Sequence, residues 1–368
     1  MSNREDTEIT QEQEGSTTDE VTVTIIEIVT ERSSLENLEG IVDDLFSYAA
    51  VQTSDASNSK PNIHDRDAEK TLKKSVLKYV KIDDRWRSLC SILLKSKAYN
   101  EYRCSNESSS STEDVPQSIN RRLPIVEIPR TEYGKPCIKK TNKRTHFLST
   151  TAQPPLLSVS HHGSFVTMAT LKNDNPKSSL LMGIDLVVVD AQPQEGVERY
   201  LSYFRGVFSP KEWRIIIGQV SPLQKMREFF CRWALREAYT KALGVGLGMD
   251  FGSFEIDCGG ENEAWKLCNS CGQETSIKRI KITHPKSNEK EWKRKAVEYW
   301  DCLLFFADDI NEKTQISEWA DRSVVCLCVG PVPESQTHSC FTFDRPNQLS
   351  LTELLAWHSS PSSLTKRK

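Results

Sequence analysis

The stretch FFCRWALREAYTKALGVGLGMDFGSFEI, Phe229–Ile256, decides how the rest of the chain is read. Phe229, Phe230, Trp233, Ala234, Ala238, Ala242 and Leu243 recur at helical spacing and form one wide apolar face. Gly244 predicts the end of that helix, and Gly246 and Gly248 keep the following turn open. Phe251, Phe254 and Ile256 then resume as a short strand-like run. Trp233, Glu237 and Lys241 fall four apart and therefore stack along one helix face. By itself a Glu followed by a Lys at this spacing is an ordinary solvent-facing ion pair.

A second acidic position upstream changes the weighing. LLMGIDLVVVD has the pattern of a buried strand, yet Asp185 interrupts it. A carboxylate in mid-strand is costly unless it is paired or binds a metal. Just before it, LLSVSHHGSFVTMAT reads as two strand segments broken at His161, His162 and Gly163. Asp185 and Glu237 are hard oxygen donors of the kind Mg²⁺ accepts beside substrate phosphates. RTEYGKPCI is a Gly-Lys turn bracketed by Arg130 and Lys135, suited to phosphate or equally to a solvated hairpin. With His161 and Lys241, these groups fit Mg²⁺-assisted displacement at a phosphate.

Outward from this centre, VTVTIIEIVT predicts a first strand, and helices follow over Leu38–Val51 and Glu69–Tyr99, the second with a break near Lys81–Asp83. FSPKEWRIII carries Ser209, Pro210 and Glu212 as a capping box with Pro at the first helical position. WDCLLFFADDI and SVVCLCVGPVP predict an antiparallel pair against the central helix, with Cys326 and Cys328 in the core. Residues 1–20 predict a disordered acidic tail, and residues 336–368 a flexible one with a single apolar patch at Leu349–Trp357. Cys268 and Cys271 form a lone CxxC, short of the four ligands that structural zinc needs.

Composition narrows the class. The net charge of −3 gives no case for nucleic acid or a membrane surface, and no apolar run approaches the ~20 residues of a bilayer span. The acidic N-terminus predicts neither signal nor transit peptide. Eleven scattered Cys suit reduced thiols in the cytoplasm.

SVSHHG, MGIDL, FSPKEW and WALREAYTKALGVGL, in this order, resemble the 4′-phosphopantetheinyl transferases, in particular the larger class that activates α-aminoadipate reductase and synthase carrier domains. DDRWRSLCSILLK and RTEYGKPCI resemble that family's N-terminal part. The resemblance implies an α+β fold of two similar halves, residues 21–170 and 171–335, with coenzyme A in the cleft between them. It implies Asp185 and Glu237 as Mg²⁺ ligands, Glu237 also as base for the carrier serine, and Lys241 as a catalytic residue facing the phosphates. Ser160, His161, Arg130 and Lys135 would contact coenzyme A. Asp83 stands where relatives carry a basic residue, so Arg85, or else Arg87, would take over that contact. Ser158 replaces the family's Asn, Val187 a frequent second acid, and His162 a frequent Gln. The implied partner is a carrier protein or α-aminoadipate reductase, met by a monomer with no nucleic acid or membrane involved. A different Mg²⁺-dependent phosphotransferase and a non-catalytic module that binds a carrier or coenzyme A are the alternatives.

Overall fold

The computed structural model describes residues 19–28, 38–48, 52–53, 63–107, 124–138, 153–172, 178–190, 192–259, 277–284, 297–307, 322–343 and 346–358. Residues 1–18, the Ser-rich run after Glu107 and the CxxC lie outside them. The first unit contains β1 (Asp19–Glu27), α1 (Leu38–Tyr48), β2 (Gln52–Thr53), α2 (Ile63–Leu77), α3 (Ile82–Glu107), β3 (Val126–Glu127), β4 (Leu156–His162) and β5 (Phe165–Leu171). The second contains β6 (Leu181–Val188), α4 (Val197–Ser202), α5 (Pro210–Ile217), α6 (Pro222–Leu243), β7 (Glu255–Asp257), β8 (Lys278–Thr283), β9 (Val297–Phe306) and β10 (Ser323–Val332). β11 (Phe341–Phe343), β12 (Asn347–Gln348) and α7 (Leu351–His358) follow. The architecture is mixed α+β, as expected. The predicted helix over Glu69–Tyr99 is two helices, with the chain leaving helical geometry between Leu77 and Ile82. In the apolar run LPIVEIPR, residues 123–130, regular strand among the described residues is confined to Val126 and Glu127.

β4 and β5 form a hairpin that pairs through β5 with β1, and the late strands run β6-β10-β9-β8-β7, antiparallel throughout. Three apolar layers hold these elements. Leu89, Leu93 and Trp86 of α3 cover one face of the first sheet. Val23, Ile25 and Ala169 of that sheet meet Ile184, Leu303 and Leu327 of the second. The other face of the second sheet packs on Phe229, Leu235 and Ala238 of α6. α6 is fixed at both ends. Ser221 and Gln224 close a capping box at its start, and Gly244 (φ 77°) ends it in the left-handed conformation expected for that Gly.

Two close contacts set the rotation and depth of α6. A methyl group on Gly183 would lie 2.0 Å from the Ala238 carbonyl oxygen, so only Gly lets β6 approach the helix this nearly. Asp185 follows on the same face of β6. On the opposite side of α6, Arg236 pairs with Glu212, and Arg232 with Glu228. Glu212 is also the capping-box Glu of α5, accepting from the Ser209 N–H, so one buried carboxylate ties the start of α5 to α6.

Between the two units the seam is unusual. Ile184, Leu186 and Val188 of β6 donate their backbone N–H groups to Ser158 Oγ (3.0 Å), Ser160 Oγ (3.1 Å) and His162 Nδ1 (3.2 Å). Alternate side chains of β4 thus take the place of a backbone ladder on the open edge of β6. Ser158, standing where the resembled family has Asn, still reaches β6.

The tail expected over 336–368 is corrected in its described part. β11 and β12 each pair in parallel with β1, and α7 packs on α3. Phe341, Leu351, Leu354 and Leu355 are fully buried. The apolar patch at Leu349–Trp357 is therefore core, and its fully buried Leu side chains are each worth about 1.5–3 kcal/mol on burial. Leu354→Ala is expected to destabilise the protein by about 2–5 kcal/mol, read as a lowered unfolding midpoint in denaturant. A flexible tail would give no change.

Candidate active site

α6 is buried along most of its length, but Trp233, Glu237 and Lys241 form a half-buried line, the stripe read from their spacing. Its Lys241 end faces the seam, while Trp233 packs on Phe204, Phe229 and Phe251. Lys241 Nζ donates to Asp185 Oδ1 at 2.6 Å and to Ser160 Oγ at 2.8 Å. Ser160 Oγ donates to Asp185 Oδ1 at 2.9 Å while accepting from the Leu186 N–H. Asp185 is only 6% exposed, so its charge is held by this ammonium and hydroxyl rather than by water. The expectation that Asp185 lies on a buried strand holds. Lys241, expected to face phosphates, donates here to Asp185 and Ser160.

Glu237 lies one turn before Lys241. Among the described residues no donor reaches its carboxylate side chain. Burial raises its pKa first, the Asp185 charge raises it further, and Lys241 acts in the opposite direction. Two carboxylates thus share one ammonium, which leaves uncompensated negative charge at this point. Such a donor set suits a further hard cation.

A cavity of about 230 Å³ adjoins Lys241 and is lined by Arg130, Gly134, Lys135, His161 and Gly244. His161, on the face of β4 away from the seam, is held toward its neutral form by burial and then by the positive charges of Lys241 and Arg87. A wider cavity of about 560 Å³ meets the first at Ser91, Lys95, Arg130 and His161. The mouth is therefore basic, with Gly134 (φ 86°) shaping the turn that Arg130 Nη1 closes on the Gly134 carbonyl.

One sequence-based assignment is not brought to this place, and another is engaged differently. Arg85 Nε donates to the Tyr79 carbonyl at 2.7 Å and Nη1 to Glu39 at 3.1 Å, and the residue lines neither cavity. Arg87 stands closer, bonding the Gly163 carbonyl at 2.9 Å and contributing charge at His161 and His162. Lys135 is beside the cavity, but its Nζ donates to the Ala242 carbonyl at 2.6 Å and the Met182 carbonyl at 3.1 Å. Its ammonium fastens the end of α6 to β6, and burial brings its pKa down to about 8. Lys95 was missed. Its only signal is a Lys three residues after Ile92 on an otherwise inward-facing stripe of α3.

Comparison with known proteins bears on this arrangement. A "Phosphopantetheinyl transferase" of Thraustochytrium sp. is 31% identical over 140 residues, 36% of this chain and 43% of that protein. The "4'-phosphopantetheinyl transferase pptA" of Paxillus involutus is 30% identical over 132 residues, 34% of this chain and 47% of the relative. The Homo sapiens protein named "L-aminoadipate-semialdehyde dehydrogenase-phosphopantetheinyl transferase" is 26% identical over 144 residues, 39% and 42% of the two chains. In each case the chain spans less than half the length of the relative. Residues 181–293, which contain Asp185, Glu237 and Lys241, match the model of the 4'-phosphopantetheinyl transferase superfamily, and the resemblance seen in the motifs thus has its firmest ground in the second unit.

Proposed function

We propose that this chain transfers the phosphopantetheine arm of coenzyme A to a serine of a carrier protein. The observation that carries the reading is the Asp185–Ser160–Lys241 contact, with Glu237 one turn away, at the mouth of a basic cavity. Asp185 and Glu237 would hold a Mg²⁺ ion, which their shared excess of negative charge fits. Such an ion, when bound, supplies charge compensation at the diphosphate.

The chain's own residues do the rest. Glu237 has a raised pKa, and among the described residues no donor engages its carboxylate, which suits it to accept the proton of the attacking serine hydroxyl. The serine oxygen bonds to the phosphorus that carries pantetheine. The bond from that phosphorus to the bridging oxygen breaks, and adenosine 3′,5′-bisphosphate leaves. Lys241 offsets the charge on the departing oxygen once its hold on Asp185 is relieved. Arg130 and neutral His161 position the donor's phosphates.

Carrier domains and α-aminoadipate reductase are the proposed partners, in keeping with the names of the relatives. Both carboxylates and the basic cavity come from one polypeptide, which supports action as a monomer. Free thiols at all nine described Cys support a reducing compartment such as the cytosol. The test is mass spectrometry of an apo carrier domain incubated with the protein, coenzyme A and Mg²⁺. The expected product is heavier by one phosphopantetheine. Coenzyme A binding without any mass gain would favour the binding-module alternative.

A further inference from the structure

Alternate residues of β6 turn their backbone groups toward the first unit. Ile184, Leu186 and Val188 give their N–H groups to Ser158, Ser160 and His162. The Met182 carbonyl, two residues earlier on the same edge, accepts from Lys135 Nζ at 3.1 Å. Lys135 therefore extends the seam by one charged rung, supplied by the turn that Arg130 and Pro136 close rather than by β4. The same ammonium donates to the Ala242 carbonyl at 2.6 Å. That carbonyl belongs to the last turn of α6, where the Gly244 and Val245 N–H groups already serve the carbonyls of Lys241 and Thr240. A cation there meets an orphan acceptor and the negative end of the helix together. Met182 and Ala242 flank the closest approach of strand and helix, since a methyl group on Gly183 would lie 2.4 Å from the Ala242 nitrogen. Lys241 precedes Ala242 by one residue and Asp185 follows Met182 by three, so the ammonium bridges the base of the Lys241–Asp185 contact.

We propose that Lys135 is a positioning residue, through which the first unit sets the spacing of α6 and β6 that brings Lys241 to Asp185. Two of its three N–H donors are spent on backbone carbonyls, so it acts through Lys241 rather than on a phosphate. The second unit holds Asp185, Glu237 and Lys241, but the cation that bridges their strand and helix comes from the other unit. The effect on turnover rests on the transferase reading. The effect on the end of α6 does not.

Steady-state transfer to a carrier domain by the whole protein, with coenzyme A varied, separates this role from a donor contact. Lys135→Met keeps the stem and removes the ammonium. Its kcat is expected to fall by about 10- to 100-fold, the scale of a displacement near 1 Å, while KM for coenzyme A stays the same. Lys135→Arg, which can still donate to both carbonyls, should recover most of kcat. Hydrogen exchange of Lys135→Met, followed without substrate, should quicken about 10-fold at the Gly244 and Val245 amides. Lys135→Gln, able to serve one carbonyl, should show the same split at smaller size and replaces the Met variant if that one does not fold. A raised KM with kcat intact would make Lys135 a donor ligand and overturn the proposal. Unchanged kcat in the folded variant, or unchanged exchange at the two amides, overturns it as well. Absence of transfer by the unaltered chain, with the exchange response present, overturns the transferase reading and leaves the bridge standing.

Discussion

Asp185→Asn is expected to lower carrier modification by about 10³-fold or more, on the scale of several kcal/mol of lost charge stabilisation at the phosphates. The amide is close in shape and can still accept from Ser160 Oγ, so the strand and its seam should survive. What it removes is the negative charge that Lys241 faces at 2.6 Å. Lys241 is 28% exposed, so water relieves part of the loss, and the stability cost should be about 1–2 kcal/mol rather than that of a wholly buried pair. Adding Lys241→Met to Asp185→Asn should recover that stability without recovering transfer. This combination separates a structural ion pair from a site, because a structural pair would regain both or lose neither. Transfer by the single variant at near-normal rate would sink the reading of Asp185.

Glu237→Gln is expected to slow transfer by about 10²-fold, the usual scale for losing a positioned proton acceptor. Its stability should change in the other direction. Burial and Asp185 raise the carboxyl pKa of Glu237 in the folded protein, so the folded state holds this proton more tightly than the unfolded chain does. The stabilising effect of that proton is complete below the ordinary Glu pKa of about 4.3 and is lost as pH rises through the folded value. At neutral pH, Glu237→Gln should therefore unfold at a higher temperature than the unaltered protein, and the difference should vanish in acid. The rate of transfer should rise with pH as Glu237 ionises, on a limb lying above the ordinary carboxylate range. That limb should be missing from the Gln variant. A pH–rate profile and thermal unfolding at two pH values check both halves, and a less stable Gln variant at neutral pH would contradict the argument.

The local parts of this molecule were legible because the residues that determine them are near one another in sequence. Ser209, Pro210 and Glu212 specify the start of a helix within four positions, and that start lies where they put it. Trp233, Glu237 and Lys241 needed only the helical period. Asp185 needed only the cost of a carboxylate inside an apolar strand. What stayed hidden depends on partners far along the chain. Nothing near Phe341 reveals that β1, at Asp19, is its pairing partner. Lys135 looks like a phosphate ligand until the carbonyls of Met182 and Ala242 arrive beside it. Lys95 was hidden for the reverse reason, since a single Lys after an apolar run reads as a helix surface until α2 and β3 help to enclose it in a cavity. Arg85 and Arg87 differ by two positions, enough on a helix to turn one toward Glu39 and the other toward Gly163.

The seam between β4 and β6 has a consequence for how such a protein can change over generations. A backbone ladder is nearly indifferent to sequence, because every residue except Pro brings the same donor and acceptor. Here the joint is spelled by Ser158, Ser160 and His162, so each rung can be rewritten by one codon without disturbing either sheet. Lengthening a rung, loosening it or making it titratable is a small mutational step. Ser160 is at once a rung and a neighbour of Asp185, so an inherited change in the joint is felt immediately at the chemistry. The tightness of the cleft is thus a heritable variable, adjustable apart from the stability of the two units it joins.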